Sequence, residues 1–314
     1  MSDALAGAEI AVICGPTAAG KSAVAMWLAT RAPLTILSAD SRQVYRGFDI
    51  GTAKPSLADQ VRAPHRGIDV ADPTQRYSAA VWADSAEGWI EEAKRASRTP
   101  VVVGGTGLYI HALFNPLFSE PVVDSSQRER LQAVLEPLDT DELRRWVHAI
   151  DPSRAHLGRT QLLRTIEIAV LTGGRISVLH RDRARSPRWR ARYLLVDPGP
   201  VLAERIGARI DAMLDHGWSD EVRKLMRTIP ENAPAWNATG YAAVRQLVRG
   251  ERSRDEARES ILIATRQYAK RQRTWFRHQL PADQVTRLDP TAADWQDVVA
   301  SWFGLPESLA AARA

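Results

Sequence analysis

The chain contains almost no cysteine. Its 314 residues include one, Cys14, so no internal disulfide can close and no cysteine-ligated metal site is available. The place of Cys14 at the end of an apolar run predicts a buried thiol and not a nucleophile. Long apolar runs are also missing. No stretch approaches the roughly 18 residues that cross a bilayer, so no membrane partner is expected. The opening MSDALAGAEI lacks the basic start and long apolar core of a secretory leader, and a cytoplasmic protein is expected. Internal repeats and low-complexity tracts are absent, which excludes a repeat array. What is present is ordinary for a globular protein: 45% hydrophobic and 25% charged residues. The length supports a sizeable core, in one large domain with an insertion or in two. Net charge is only +5, but arginines crowd residues 173–192 and 252–278. Such crowding fits a polyanionic partner, with a solvated basic face as the plainer alternative.

Short apolar runs alternate with helical patterns through the first third. EIAVICG (9–15), LTILSAD (34–40) and TPVVVGG (99–105) read as buried strands, and 21–30 and 77–96 as helices, the latter with Ser78 as N-cap. This alternation predicts an α/β fold: a P-loop parallel sheet with helices on both faces, a three-layer αβα core. Ligands on such sheets gather where strands end, here at the loops opening at Gly15, Asp40 and Gly104. From Pro121 to Pro187 three helical patterns follow one another, and RYLLVDPGP (192–200) returns to the sheet. The division expected is a core of 1–120 and 190–314, with further helices toward the C-terminus, and a mostly helical insertion of 121–189. Residues 201–217 predict a helix stopped by Gly217. The last strong helix runs from Asp255 to Arg277, and the tail shows one weak helix at 295–303.

GPTAAGKS (15–22) matches G-x-x-x-x-G-K-[ST] between a strand and a helix, the context this pattern requires. Gly15 and Gly20 let the backbone wrap so that the loop of Gly15, Pro16, Thr17, Ala18, Ala19 and Gly20 surrounds a phosphate chain, with its available N–H groups pointing inward. Lys21 adds charge, and the Ser22 hydroxyl is a candidate Mg²⁺ ligand. Phosphoryl transfer usually also needs a carboxylate after an apolar strand. Asp197 is one candidate. Asp40 lies nearer the loop, as metal ligand, general base or simple turn cap. VVVGGTGLYIHAL (101–113) sets a Gly-Gly-Thr turn between strand and helix, with Thr106 at the helix start. In ATRQYAKRQRTWFRH (264–278), Arg266, Lys270, Arg273 and Arg277 share one helical face, with Arg271, Trp275 and His278 beside it. That stripe suits a nucleic-acid backbone or a solvated surface.

Together, GPTAAGKS, SADSRQVYRGFDIGTAKPS, PHRGIDVADPTQRYSAA, VVVGGTGLYIHAL and ATRQYAKRQRTWFR resemble the tRNA dimethylallyltransferase (tRNA isopentenyltransferase) family, in order from Ile10 to His278. The resemblance implies transfer of a dimethylallyl group from dimethylallyl diphosphate to the exocyclic amine of the adenosine 3′ of the anticodon, position 37, with release of diphosphate. It implies Asp40 as catalytic base, with Lys21 and Thr106 also in the catalytic set. The diphosphate would lie on residues 15–22, assisted by Arg205, Arg209 and Mg²⁺ on Ser22. The tRNA anticodon stem-loop would meet Asp40, Ser41, Arg42, Gln43 and Thr106, then Arg128 and Arg164 of the insertion, then Lys270, Arg271, Arg273, Trp275 and Arg277. A monomer is expected. Two departures from the family pattern, Gln161 and GYAAV (240–244), remove polar or basic groups and bear on tRNA affinity. The other readings are a P-loop kinase of a small molecule, an adenylate isopentenyltransferase, and a nucleotide-switched RNA-binding protein. The first leaves DIGTAKP and the basic helix without a role.

Overall fold

The computed structural model describes residues 8–115, 123–182 and 188–306. Six strands, β1 (Glu9–Cys14), β2 (Leu34–Ala39), β3 (His65–Arg66), β4 (Thr99–Gly104), β5 (Arg190–Val196) and β6 (Val285–Leu288), form one sheet. Its order is β3-β2-β4-β1-β5-β6, and every neighbouring pair is parallel. The uninterrupted apolar runs have their explanation here. All six residues of β2 are buried, as expected of a strand covered on both faces. The edge strands β3 and β6 were not anticipated. They span two and four residues, and β6 is mostly half-exposed, so neither carries a continuous apolar signal.

Register brings the site together. Gly104 is level with both Cys14 and Ala39, and Cys14 is level with Leu195. The residues that leave the sheet next, Gly15, Asp40 and Gly105, therefore emerge side by side. Gly15 has φ 142, and a Cβ there would fall 2.1 Å from the Val196 carbonyl oxygen, so no other residue fits this turn.

Helices α1 (Lys21–Ala29), α2 (Leu57–Arg62), α3 (Ala79–Arg95) and α4 (Gly107–Phe114) belong to the strand-rich half. The Ser78 hydroxyl accepts the Val81 N–H and caps α3 as predicted. Helices α5 (Ser125–Leu135), α6 (Thr140–Ile150), α7 (Arg159–Thr172) and α8 (Ile176–Asp182) follow. They lie in a separate compact unit, 115–186, while 1–114 and 187–314 make the other. The helical unit has its own core, in which Leu135, Leu143, Val147, Leu162 and Ile166 are fully buried. The chain then adds α9 (Leu202–Asp215), α10 (Trp218–Leu225), α11 (Tyr241–Val248), α12 (Arg254–Gln279) and α13 (Trp295–Phe303). Gly217 stops α9 as expected: it follows the C-cap His216 in the left-handed region at φ 92, and the same residue serves as N-cap of α10. Among the described residues no helix is long and apolar enough to cross a membrane.

Candidate active site

The phosphate loop joins β1 to α1. Lys21 Nζ donates to the Pro16 carbonyl at 2.7 Å, and Arg205 Nη1, reaching from α9, donates to the Ala19 carbonyl at 3.3 Å. Burial pushes the Lys21 ammonium down to about 8, the nearby Arg209 charge pushes the same way, and Asp40 opposes both. Arg209 is held below its ordinary value by the same burial, again opposed by Asp40. Several cations crowded into a partly dry concavity form a receptor for a polyanion. Beneath them Cys14 is fully buried, and burial pushes its thiol up to about 12, which removes it as a nucleophile.

Asp40 ends β2. Its Oδ1 accepts the Arg42 N–H at 2.8 Å, fixing the carboxylate in an Asx turn. Two cavities open beside it. The larger, about 320 Å³, is lined by Lys21, Ser22, Gln43, Lys54 and His65 among others. The smaller, about 80 Å³, has an apolar wall of Ile206, Ile210, Met213, Trp218 and Ile261. Thr17, Asp40, Arg209 and Tyr268 line both. The carboxylate thus stands where the phosphate seat meets a small apolar chamber.

The remaining sequence-predicted residues divide. Ser22, exposed at the start of α1, borders the larger cavity, and Arg42 borders the smaller. Lys270, Arg271 and Arg277 are exposed along α12. Thr106 is not among the residues lining either cavity. Its Oγ1 accepts the Ser41 N–H at 3.0 Å, so it steadies the turn that carries Asp40. Gln43 is turned inward. Its Nε2 donates to the Thr52 and Ala53 carbonyls, and its Oε1 accepts the Ser38 hydroxyl at 2.8 Å.

Arg273 departs from the predicted stripe. Its Nε and Nη2 grip the Asp197 carboxylate at 2.8 and 2.5 Å, and Nη2 also donates to the Gly199 carbonyl. Asp197, bound on both oxygens, lines neither cavity. Trp275 is half-buried, and a Cβ on Gly107 would fall 2.3 Å from its ring, so it packs on the start of α4. In the helical unit, Arg128 and Arg164 both pair with Glu167, whose side chain is only 5% exposed. Burying one carboxylate consumes two cations assigned to RNA. Gln161 caps α7 by accepting the Gly158 N–H. In GYAAV, Ala242 is exposed and Ala243 buried.

Three contributors escaped the sequence. Gln272 is buried and joins the phosphate loop to the Gly-Gly-Thr turn. Tyr268 borders both cavities. Glu221 of α10 accepts the Asp49 and Ile50 N–H groups at 2.9 and 2.6 Å and the Tyr241 hydroxyl at 2.6 Å. Each acts across a long sequence separation that no local pattern encodes.

A strand–loop–helix phosphate loop, buried cations beside it and a carboxylate lining the adjoining cavities mark a P-loop transferase. Comparison with known proteins agrees. A family model described as IPP transferase matches residues 43–279, and one described as Isopentenyl transferase matches 8–66. A tRNA dimethylallyltransferase of Thermosynechococcus vestitus is 38% identical over 297 residues, 92% of this chain and 94% of that protein. One of Chromohalobacter salexigens is 40% identical over 275 residues, covering 85% and 88%. The structure of the tRNA isopentenylpyrophosphate transferase of Bacillus halodurans aligns with a TM-score of 0.66 at 31% identity over 96% of both chains. A eukaryotic dimethylallyltransferase acting on tRNA aligns at 0.76 and 26% identity, over 96% of this chain and 78% of its own. The chain belongs to the tRNA dimethylallyltransferase family.

Proposed function

We propose that the site transfers a dimethylallyl group to the exocyclic amine of the adenosine 3′ of the anticodon, with Asp40 accepting the proton. Family membership establishes the reaction class. The position of Asp40 at the junction of the two cavities carries the assignment of roles. Dimethylallyl diphosphate lays its diphosphate on the amides of the loop other than Thr17, whose N–H is held by Gln272, and Lys21, Arg205 and Arg209 supply positive charge there. The five-carbon tail suits the small apolar chamber. The adenosine leaves its stack to bring its amine beside Asp40. Its nitrogen bonds to the allylic carbon, the carbon–oxygen bond breaks with its electron pair leaving on diphosphate, and the spare amine proton passes to Asp40. An exocyclic amine is a weak nucleophile because its lone pair is delocalised into the ring. The departing charge must therefore be met in place, which is what preorganised amides and cations do.

The residues fit Mg²⁺ in the manner usual for that ion, which takes one or two side-chain oxygens and completes its shell with substrate phosphate and water. The Ser22 hydroxyl, which with Asp40 lines the larger cavity, would hold the ion, which when bound supplies further charge to the leaving group. Among the described residues there is no cluster of three metal-ligating side chains. RNA is held outside the reaction site. Lys270, Arg271 and Arg277 lie exposed on α12 and suit the phosphates of the anticodon stem, while Ser41 and Arg42 flank the entry to Asp40.

The test supplies labelled dimethylallyl diphosphate and Mg²⁺ with either an anticodon stem-loop or adenosine monophosphate. Label enters the stem-loop alone. Label in the monophosphate instead, or ATP hydrolysis with no transfer, overturns the reading.

A further inference from the structure

Gln272 is 6% exposed, a buried amide on a helix whose neighbours Lys270 and Arg271 face outward. Its Oε1 accepts the Thr17 N–H at 2.8 Å, and its Nε2 donates to the Gly105 carbonyl at 2.8 Å. Thr17 belongs to the phosphate loop. Gly105 belongs to the turn after β4, whose next residue, Thr106, holds the Ser41 N–H beside Asp40. A Cβ on Gly105 would fall 2.3 Å from Gln272 Nε2, so the amide is seated against bare backbone.

We propose that Gln272 is a positioning residue for the transfer, fixing the span between the diphosphate seat and the proton-accepting carboxylate. The proposal rests on the reaction assigned above. The sheet ties β1 to β4 up to the Cys14–Gly104 level, and beyond it each loop leaves the ladder. The Gln272 amide carries the tie one step further, on the side where chemistry occurs. Leaving group and base act on bonds that change together, and a misplacement of about 1 Å costs about 10²-fold in rate. The residue type is required as well. A primary amide offers an acceptor and a donor on one rigid plane and stays uncharged at every working pH. An ionised glutamate has no donor and would set a negative oxygen against the Gly105 carbonyl, and leucine satisfies neither partner.

The experiment uses the full chain with Gln272→Leu and Gln272→Glu, dimethylallyl diphosphate and an anticodon stem-loop. It reads kcat, donor KM, RNA Kd and melting temperature. Gln272→Leu lowers kcat about 10²-fold, with donor KM and RNA Kd kept within about threefold of wild type. The ratio of the Gln272→Glu kcat to wild type rises as the pH falls from about 9 to about 6, because the protonated carboxyl donates to Gly105 while its other oxygen accepts Thr17. The corresponding ratio for the leucine variant is flat. A wild-type kcat in Gln272→Leu, a loss expressed wholly as weaker RNA binding, or a flat glutamate ratio overturns the proposal. If wild type alkylates the stem-loop, the reaction assignment survives that failure. If it does not, both fall.

Discussion

The charge of Lys21 makes the site sensitive to pH in a way that separates donor capture from chemistry. In the free enzyme its ammonium is pushed down to about 8 from an ordinary 10.5, by burial and then by Arg209. Above that point the charged fraction falls about tenfold per pH unit, leaving roughly a tenth at about pH 9. A bound diphosphate brings opposite charge into contact and restores the proton. The free enzyme governs kcat/KM and the complex governs kcat. With the stem-loop saturating and the donor varied, log kcat/KM for dimethylallyl diphosphate therefore falls above about pH 8 with a slope approaching −1, while kcat stays level to about pH 9. Cys14 and Tyr268, both pushed up to about 12, stay protonated across this window. The limb should vanish in Lys21→Met, which captures the donor poorly at every pH. Stability carries the opposite sign. The unfolded chain keeps a proton that the folded, donor-free chain has lost between about 8 and 10.5, so resistance to urea rises through that interval. A kcat/KM that stays level past about pH 9, or a kcat that falls in step with it, would refute the electrostatic account of the loop.

Asp40→Asn keeps the turn acceptor but not the proton acceptor, so single-turnover transfer falls by about 10² to 10⁴ while filter binding of the stem-loop holds; equal losses in both would make Asp40 an RNA contact. Lys270→Ala and Arg271→Ala each flatten the slope of log Kd against log salt by about one. Arg273→Ala leaves that slope alone and instead lowers melting temperature, at about 1 kcal/mol for a half-exposed carboxylate losing its fork. A reduced salt slope in Arg273→Ala would return that arginine to the RNA face. Glu167→Ala removes the buried anion shared by Arg128 and Arg164 and destabilises the helical unit by about 3 kcal/mol, read by urea melts. An unchanged melt there would mean that the pairings are incidental.

The parallel sheet was legible because β1, β2 and β4 are apolar on both faces, and the phosphate loop because strand, loop and helix each sign themselves locally. The basic helix was only half legible. Helical spacing states which residues share a face, but the tertiary partner decides which way a face points. Arg273, in register with Lys270 and Arg277, is claimed by Asp197, 76 residues away in sequence. DIGTAKP was recognisable as a block but silent about its physics. Lys54 donates to the Tyr45 carbonyl and to the carboxylates of Asp49 and Asp69 at 2.5 to 2.6 Å with a side chain only 6% exposed. The block is therefore a staple that shapes one wall of the larger cavity, and its lysine is spent inside the fold.

The Asp197–Arg273 pair also bears on which bond this loop helps to break. Asp197 follows β5, one of the two neighbours of β1, and so is one of the strand-end carboxylates that could hold a metal in phosphoryl transfer. Here Arg273 takes both of its oxygens, and the Gly199 N–H adds a bond to Oδ1 at 3.0 Å. Placing a metal there would require breaking a forked, charge-assisted pair. The helix that neutralises this aspartate also sends Gln272 inward to the loop and turns Lys270 and Arg271 outward. A single helix thereby occupies the Asp197 carboxylate, braces the loop against the Gly-Gly-Thr turn, and leaves Lys270 and Arg271 exposed. The acid that lines both cavities is Asp40, and under the proposed function an acid so placed accepts the proton of an incoming amine as the carbon–oxygen bond breaks.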